Sequence, residues 1–142
     1  MSGKKIETRE FSIEDYDATI DLWKRVGGLE ICEGDEREGI LKLLQRNPGL
    51  SRTATDGDTV VGVALCAHDG RRGHIYHLAV DPAYQGQGIG QRLVDECMAG
   101  LRRVGIQRAI ILVAGDNPRA RKFWKDSDWE ELDGALVMGK DV

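Results

Sequence analysis

The six residues Gln85-Gly86-Gln87-Gly88-Ile89-Gly90 constrain this chain more than any other stretch. Ahead of them His74 to Val80 reads as an apolar strand closed by Asp81-Pro82. Behind them Leu93, Val94, Cys97, Met98 and Leu101 recur at helical spacing. A strand, a glycine turn and a helix in that order present a row of backbone N–H groups and a positive helix end to an anion. Glycine reaches backbone conformations closed to other residues and lets an anionic group approach the main chain. The turn is therefore expected to hold the pyrophosphate of a cofactor.

Two common phosphate-binding patterns do not fit. A dinucleotide fingerprint counted from Gly86 needs glycine at its sixth position, where Gln91 stands, and three antiparallel-looking strands come before it. A P-loop needs lysine and then Ser or Thr after its last glycine, but Gly90 is followed by Gln91 and Arg92. A plain strand-to-helix turn is the remaining reading of the glycines taken alone.

The surrounding elements follow from changes of period. Ile6 to Arg9 reads as a short strand. Ser12, with Asp15 three residues on, reads as the cap of a helix carrying Ile13, Tyr16, Ile20, Leu22 and Trp23, ended by Gly27-Gly28. A loop with Glu30, Glu33 and Asp35 leads to a helix from Glu36 to Gln45, stopped by Asn47-Pro48-Gly49. Ser51 to Thr55 and Thr59 to Ala67 alternate with period two around Asp56-Gly57-Asp58, a hairpin turn sequence. Arg108 to Val113 is a near-continuous apolar run, expected to be a strand buried on both faces. Asp116-Asn117-Pro118 opens a helix through Phe123 and Trp124. Trp129 to Leu132 and Leu136 to Lys140 read as two last strands. The order is β-α-α-β-β-β-α-β-α-β-β, a mixed α/β (α+β) sheet.

With 142 residues the chain is expected to form a single domain over residues 1–142. A net charge of −4 argues against a protein built to grip a nucleic-acid backbone. Cys32, Cys66 and Cys97 form no C-x-x-C pair, so neither a metal site nor a disulfide framework is expected. Met1 to Glu10 lacks the apolar stretch of a signal peptide, and no run reaches the roughly 18 apolar residues of a membrane span. The expectation is a soluble, cytoplasmic protein.

The stretch Leu78-Ala79-Val80-Asp81-Pro82-Ala83-Tyr84-Gln85-Gly86-Gln87-Gly88-Ile89-Gly90 closely resembles the acetyl-coenzyme A motif of the GNAT superfamily of N-acetyltransferases. That pattern of Gln or Arg, two residues, Gly, one residue, then Gly or Ala is met by Gln85, Gly88 and Gly90. The family's second pattern, Asn, Ala three on and an aromatic pair, is matched by Asn117, Ala120, Phe123 and Trp124. The resemblance covers essentially the whole chain. It implies a GNAT-like fold: a mostly antiparallel sheet, flanked by helices, whose central strands splay apart to admit acetyl-CoA, with coenzyme A as product. Amides of Gly86, Gln87, Gly88, Ile89 and Gly90 would hold the pyrophosphate. The strand edge at Leu78, Ala79 and Val80 would pair with the pantetheine amides as a missing strand does. An N–H of Leu78 or Ala79 would meet the thioester oxygen and the oxyanion that follows it. Asn117 would reach the cofactor arm, although a helix N-cap explains it equally well.

The activity implied is transfer of an acetyl group to a primary amine by direct attack in a ternary complex. Such an amine is mostly protonated at pH 7, given an ordinary lysine pKa of about 10.4, so a base should help. His74, Tyr76 and His77 lie on the strand facing the gap. Period two puts His74 and Tyr76 on one face and His77 on the other. Some family members carry histidines at the positions of His74 and Tyr76, and here only His74 keeps the imidazole. The family's usual acid for the leaving thiolate is a tyrosine, where this chain has Trp124. An indole N–H cannot supply a proton at a useful pKa. Tyr76 or Tyr84 is the nearest substitute, unless the thiolate leaves unassisted, which an ordinary thiol pKa of about 8.5 permits.

The acceptor side in this fold is formed by the first two helices and their loop. The carboxylates Glu30, Glu33, Asp35 and Glu36 there suit a small-molecule or peptide amine, or are simply a solvated acidic face. Many relatives form homodimers through their last strands. A non-catalytic acyl-CoA binding or sensing domain that has lost the tyrosine is the competing reading.

Overall fold

A computed structural model describes residues 5–26, 31–113 and 117–142. The chain falls into two compact units, Met1–Leu112 and Val113–Val142. The first contains β1 (Ile6–Glu10), α1 (Tyr16–Arg25), α2 (Arg37–Arg46), β2 (Arg52–Asp56), β3 (Thr59–His68), β4 (Gly73–Val80), α3 (Ile89–Arg103) and β5 (Ala109–Ile111). Short 3₁₀ turns at Ile13–Asp15 and Pro82–Tyr84 precede α1 and the glycine turn. The second unit contains α4 (Pro118–Asp126).

The five strands lie in one sheet in chain order. β1, β2, β3 and β4 pair antiparallel in succession, and β4 pairs with β5 in parallel. The hairpin turn expected at Asp56-Gly57-Asp58 joins β2 to β3, with Gly57 at φ +60. The helix start expected at Ser12 is a complete capping box: the Asp15 carboxylate accepts the Ser12 N–H at 2.9 Å, and the Ser12 hydroxyl accepts from the following turn. Gly27-Gly28, expected to end α1, lies outside the described residues.

Alternation along β3 divides the core. Val63 and Leu65 point to one face, where they pack with Leu22 and Trp23 of α1, Ile40 of α2, Phe11 and Ala79. Gly62, Ala64 and Cys66 point to the other, beneath α3, which packs across β2, β3 and β4. Ile89, Leu93, Val94, Cys97, Gly100 and Leu101 make the buried stripe of α3. Burying each large apolar side chain contributes about 1.5–3 kcal/mol before ordering costs. Glycines bring the helix close: a Cβ on Gly73 would stand 2.5 Å from Leu101 Cδ1, and one on Gly62 3.1 Å from Leu93 Cδ1.

Three expectations are corrected. The strand read over Arg108 to Val113 pairs only through Ala109–Ile111, and instead of being buried on both faces these residues are half-buried, with Leu112 exposed. Apolar character alone did not fix its length, because a strand lasts only as long as its ladder partner. Trp129 to Leu132 and Leu136 to Lys140 form no strands; Leu132, Leu136, Val137 and Met138 are exposed. A hairpin is marginal by itself, and within this unit α4 is the sole regular element among the described residues. The third correction concerns His77 and belongs to the site.

Candidate functional site

β4 is the centre of the site, because its two edges are treated differently. On the β3 side it is paired from Gly73 to Val80. On the β5 side its ladder stops after Gly73, His74 and Ile75. Among the described residues the outer edge from Tyr76 to Val80 has no strand beside it, so the sheet is open midway along. Leu78 and Val80 are half-buried and Ala79 is buried.

The open edge leads directly into the glycine turn. Asp81 closes the strand: its N–H donates to the Val61 carbonyl at 2.8 Å and its carboxylate accepts the Ala83 N–H at 2.9 Å. The Gln85 side chain donates back to the Val80 carbonyl at 3.0 Å, tying the turn to the strand end. Gly86 and Gly88 sit at φ +80 and +81, in the left-handed region that favours glycine. A Cβ at either would meet no atom within 4 Å, so both face open space. Gly88 is the N-cap of α3 and brings no side chain to cap it. The first-turn amides of α3 have no intrahelical acceptor, and the helix dipole adds partial positive charge there. Gln87 and Gly90 lie in the same turn, while Ile89 turns its side chain into the core. A glycine cradle at a bare helix start, continuous with an unpaired strand edge, fits a phosphate-bearing group with an amide-containing arm.

His77 is placed where alternation did not put it. Val63 pairs with Ala79 and Leu65 with Tyr76, so His77 and Leu78 together face the single residue Ala64. That extra residue is a β-bulge, and His77 occupies its kink at φ +48. The bulge turns the His77 ring onto the face of His74 and Tyr76 rather than the opposite one. All three line a cavity of about 500 Å³, together with Asp35, Asn47 and His68.

Within this cavity the rings of His74 and Tyr76 are stacked, centroids 5.6 Å apart, as their same-face spacing predicts. Burial pushes the Tyr76 phenol above its usual pKa, and the nearby Asp69 charge adds to the shift. His77 packs against Trp23 at 4.7 Å, and its Nε2 lies 3.0 Å from Asp35 Oδ2. Asp35 is held in turn. Its carboxylate accepts the Cys32 N–H at 2.9 Å, and its carbonyl accepts the Tyr16 hydroxyl at 2.7 Å. Glu33 also lines the cavity, so part of the acidic loop faces it; Glu30 lies outside the described residues.

Tyr84 is not brought to this cavity. Its hydroxyl donates to Asp56 at 2.6 Å, a bond that raises its pKa along with the Asp56 charge. Asn117 is the N-cap of α4, its side-chain oxygen accepting the Ala120 N–H at 3.1 Å. Phe123 meets Trp124 edge-on at 5.0 Å, and Trp124 meets Trp129 at 5.1 Å, so Trp124 is part of an aromatic cluster of the second unit. Among the described residues no group of His, Cys, Asp or Glu is arranged to hold a metal ion. Cys66 and Cys97 are buried and Cys32 is exposed.

The sequence alone did not pair His77 with Asp35. A bulge has no reliable sequence signature, and the loop that carries Asp35 reads only as acidic.

Comparison with known proteins gives a consistent result. The family model described as acetyltransferase (GNAT) family matches residues 9–128. An acetyltransferase of Sodalis glossinidius is 31% identical over 135 residues, covering 95% of this chain and 94% of its own. An acetyltransferase of Pectobacterium atrosepticum is 29% identical with the same coverage. Among solved structures, the PaiA N-acetyltransferase of Thermoplasma acidophilum, in complex with coenzyme A, superposes with a TM-score of 0.80 at 20% identity, over 92% of this chain and 93% of that one. AAC(6′)-Iy, in complex with a bisubstrate analogue, gives a TM-score of 0.76 at 14% identity, over 97% and 99%.

Proposed function

Because the chain belongs to the GNAT acetyltransferase family, we propose that it transfers the acetyl group of acetyl-CoA directly to a primary amine bound beside it. The observation that carries this reading is the continuity of the open β4 edge with the uncapped glycine turn at the start of α3. PaiA, with its bound coenzyme A, and AAC(6′)-Iy, with its bisubstrate analogue, lend support through the shared fold.

In this reading amides from Gly86 to Gly90 hold the pyrophosphate, and Gln85 stiffens the turn through Val80. Leu78, Ala79 and Val80 offer main-chain groups to the pantetheine arm, and an N–H of Leu78 or Ala79 aligns the carbonyl oxygen. Asn117, Ala120 and Phe123 are proposed as further cofactor contacts. When bound, acetyl-CoA supplies an activated acyl thioester. His74, Tyr76 and Tyr84 are candidates for moving protons. Of the two tyrosines Tyr76 is better placed, since it lines the cavity while the Tyr84 hydroxyl is committed to Asp56. The protein would work as a single domain over residues 1–142, in the cytoplasm and with a homodimer open to it. No helix among the described residues is long and apolar enough to cross a membrane.

Thermal stabilisation by acetyl-CoA, coenzyme A and ADP, measured side by side, tests the reading. A ligand at 100 times its Kd adds about 2.7 kcal/mol, a shift of several degrees in Tm. Stabilisation that requires the pantetheine arm supports the site, and thiol release with amines then supports the chemistry. Equal shifts with ADP, or none, would refute the cofactor assignment. Tight acyl-CoA binding without thiol release to any amine would favour the sensing domain, which Trp124 in place of the tyrosine makes the specific rival.

A further inference from the structure

The chain has three histidines, and all of them line the cavity described above. They are not equivalent. His68 uses Nδ1 to accept the Gly70 N–H at 3.0 Å, and His74 is stacked on Tyr76. Among the described residues, only His77 has a carboxylate on a ring nitrogen. An ionised carboxylate can only accept a hydrogen bond, so Nε2 of His77 must carry the proton. The neutral ring then has its lone pair on Nδ1, and no described residue bonds that atom.

Several neighbours hold the pair in place. Trp23, itself buried, holds the ring plane, and the Cys32 N–H and Tyr16 hydroxyl hold Asp35 through its carboxylate and its carbonyl. The bulge keeps the ring on the cavity face at φ +48, a conformation few non-glycine residues adopt. The His77 and Asp35 side chains are 23% and 13% exposed, so the pair is sheltered yet reachable from the cavity. A base with one nitrogen locked by a carboxylate and the other presenting a lone pair is the arrangement a proton acceptor needs.

We propose that His77 is the proton acceptor for the incoming amine, and that Asp35 is the positioning residue that fixes its tautomer. This rests on the amine-acetylation reading above. An N–H bond of the acceptor ammonium breaks, its electron pair stays on nitrogen and the proton moves to Nδ1 of His77. The resulting imidazolium faces the Asp35 carboxylate across the Nε2 hydrogen bond. The freed amine forms the C–N bond as the C–S bond breaks. The second amine proton compensates the departing thiolate, and His77 returns its proton to solvent.

Two measurements test this. The first needs no acceptor: long-range proton–nitrogen correlation spectra of ¹⁵N-histidine-labelled protein should show neutral His77 as the Nε2–H tautomer, a preference that relaxes in Asp35→Ala. Wild-type His77 found as the Nδ1–H tautomer would overturn the proposal. The second compares wild type with His77→Asn, since asparagine tolerates the left-handed backbone. Acetyl transfer is read by thiol release to a panel of aliphatic primary amines and to 2,2,2-trifluoroethylamine, whose nitrogen is already neutral at pH 7. Loss of a general base predicts a kcat lower by about 10²–10⁴-fold on the aliphatic amine, an unchanged KM for acetyl-CoA and only a few-fold change on the neutral amine. Equal losses on both amines, or no loss, would overturn the proposal while leaving the parent reading intact. A wild type that binds acetyl-CoA and acetylates no amine would overturn the parent reading, and this one with it.

Discussion

At the scale of single residues, left-handed backbone separates positions that look alike in sequence. Gly57 and Gly88 both have positive φ, and a Cβ on either would meet nothing within 4 Å. Gly57 turns a hairpin, whereas Gly88 opens α3. Gly88→Val should cost about 1–2 kcal/mol in strain and also fill the space assigned to pyrophosphate. We expect a modest fall in Tm and complete loss of stabilisation by acetyl-CoA, whereas Gly57→Ala should show comparable strain with ligand stabilisation intact. Undiminished ligand stabilisation in Gly88→Val would place the site elsewhere. The glycine turn was legible because its spacing reflects a local backbone requirement. His77 was not, because alternation counts residues along one strand and cannot see that two of them face one on the neighbour.

At the scale of elements, the closeness of α3 to the sheet depends on positions without side chains. A Cβ on Gly73 would stand 2.5 Å from Leu101 Cδ1, so Gly73→Val should overpack the helix–sheet contact and cost about 1–3 kcal/mol, read as a lower urea midpoint. Gly139→Val, with nothing within 4 Å and no positive φ, should stay within about 0.5 kcal/mol of wild type. Helices and the first four strands were readable because they carry their own period and local start or stop signals: the capping box at Ser12, Asn47-Pro48-Gly49, and Asp81-Pro82. β5 and the segment from Trp129 to Lys140 were not. Their strand character depended on a partner, and partners lie outside any local window.

At the scale of the whole molecule, stability should depend on pH from both sides. Burial alone would raise the Asp15 pKa, but the two hydrogen bonds from Arg9 at 2.7 Å, the Ser12 N–H and the Arg9 charge outweigh it and leave it lowered. Glu96 behaves alike: burial raises it, and the Thr8 hydroxyl, Arg52 and the Arg92 charge bring it below its usual range. Both groups bind protons more weakly folded than unfolded. Their stabilisation is present above the unfolded carboxylate pKa and is lost as pH falls through the lower folded values. Asp15→Ala should cost about 1–2 kcal/mol at pH 7 and flatten the acid limb of a plot of urea midpoint against pH. An acid limb as steep as in wild type would contradict this. On the alkaline side the buried Cys97 thiol, raised by its contact with Cys66 and by burial, contributes stability that is lost as pH climbs above the unfolded thiol range. The interrupted β4–β5 ladder has a further consequence for handling the protein. Among the described residues no strand covers the β4 edge from Tyr76 to Ala79, the kind of edge along which extended chains join one another. Ligand-free stocks should therefore cloud sooner on concentration or warming than saturated ones, so that the cofactor would also act as a solubilising guest.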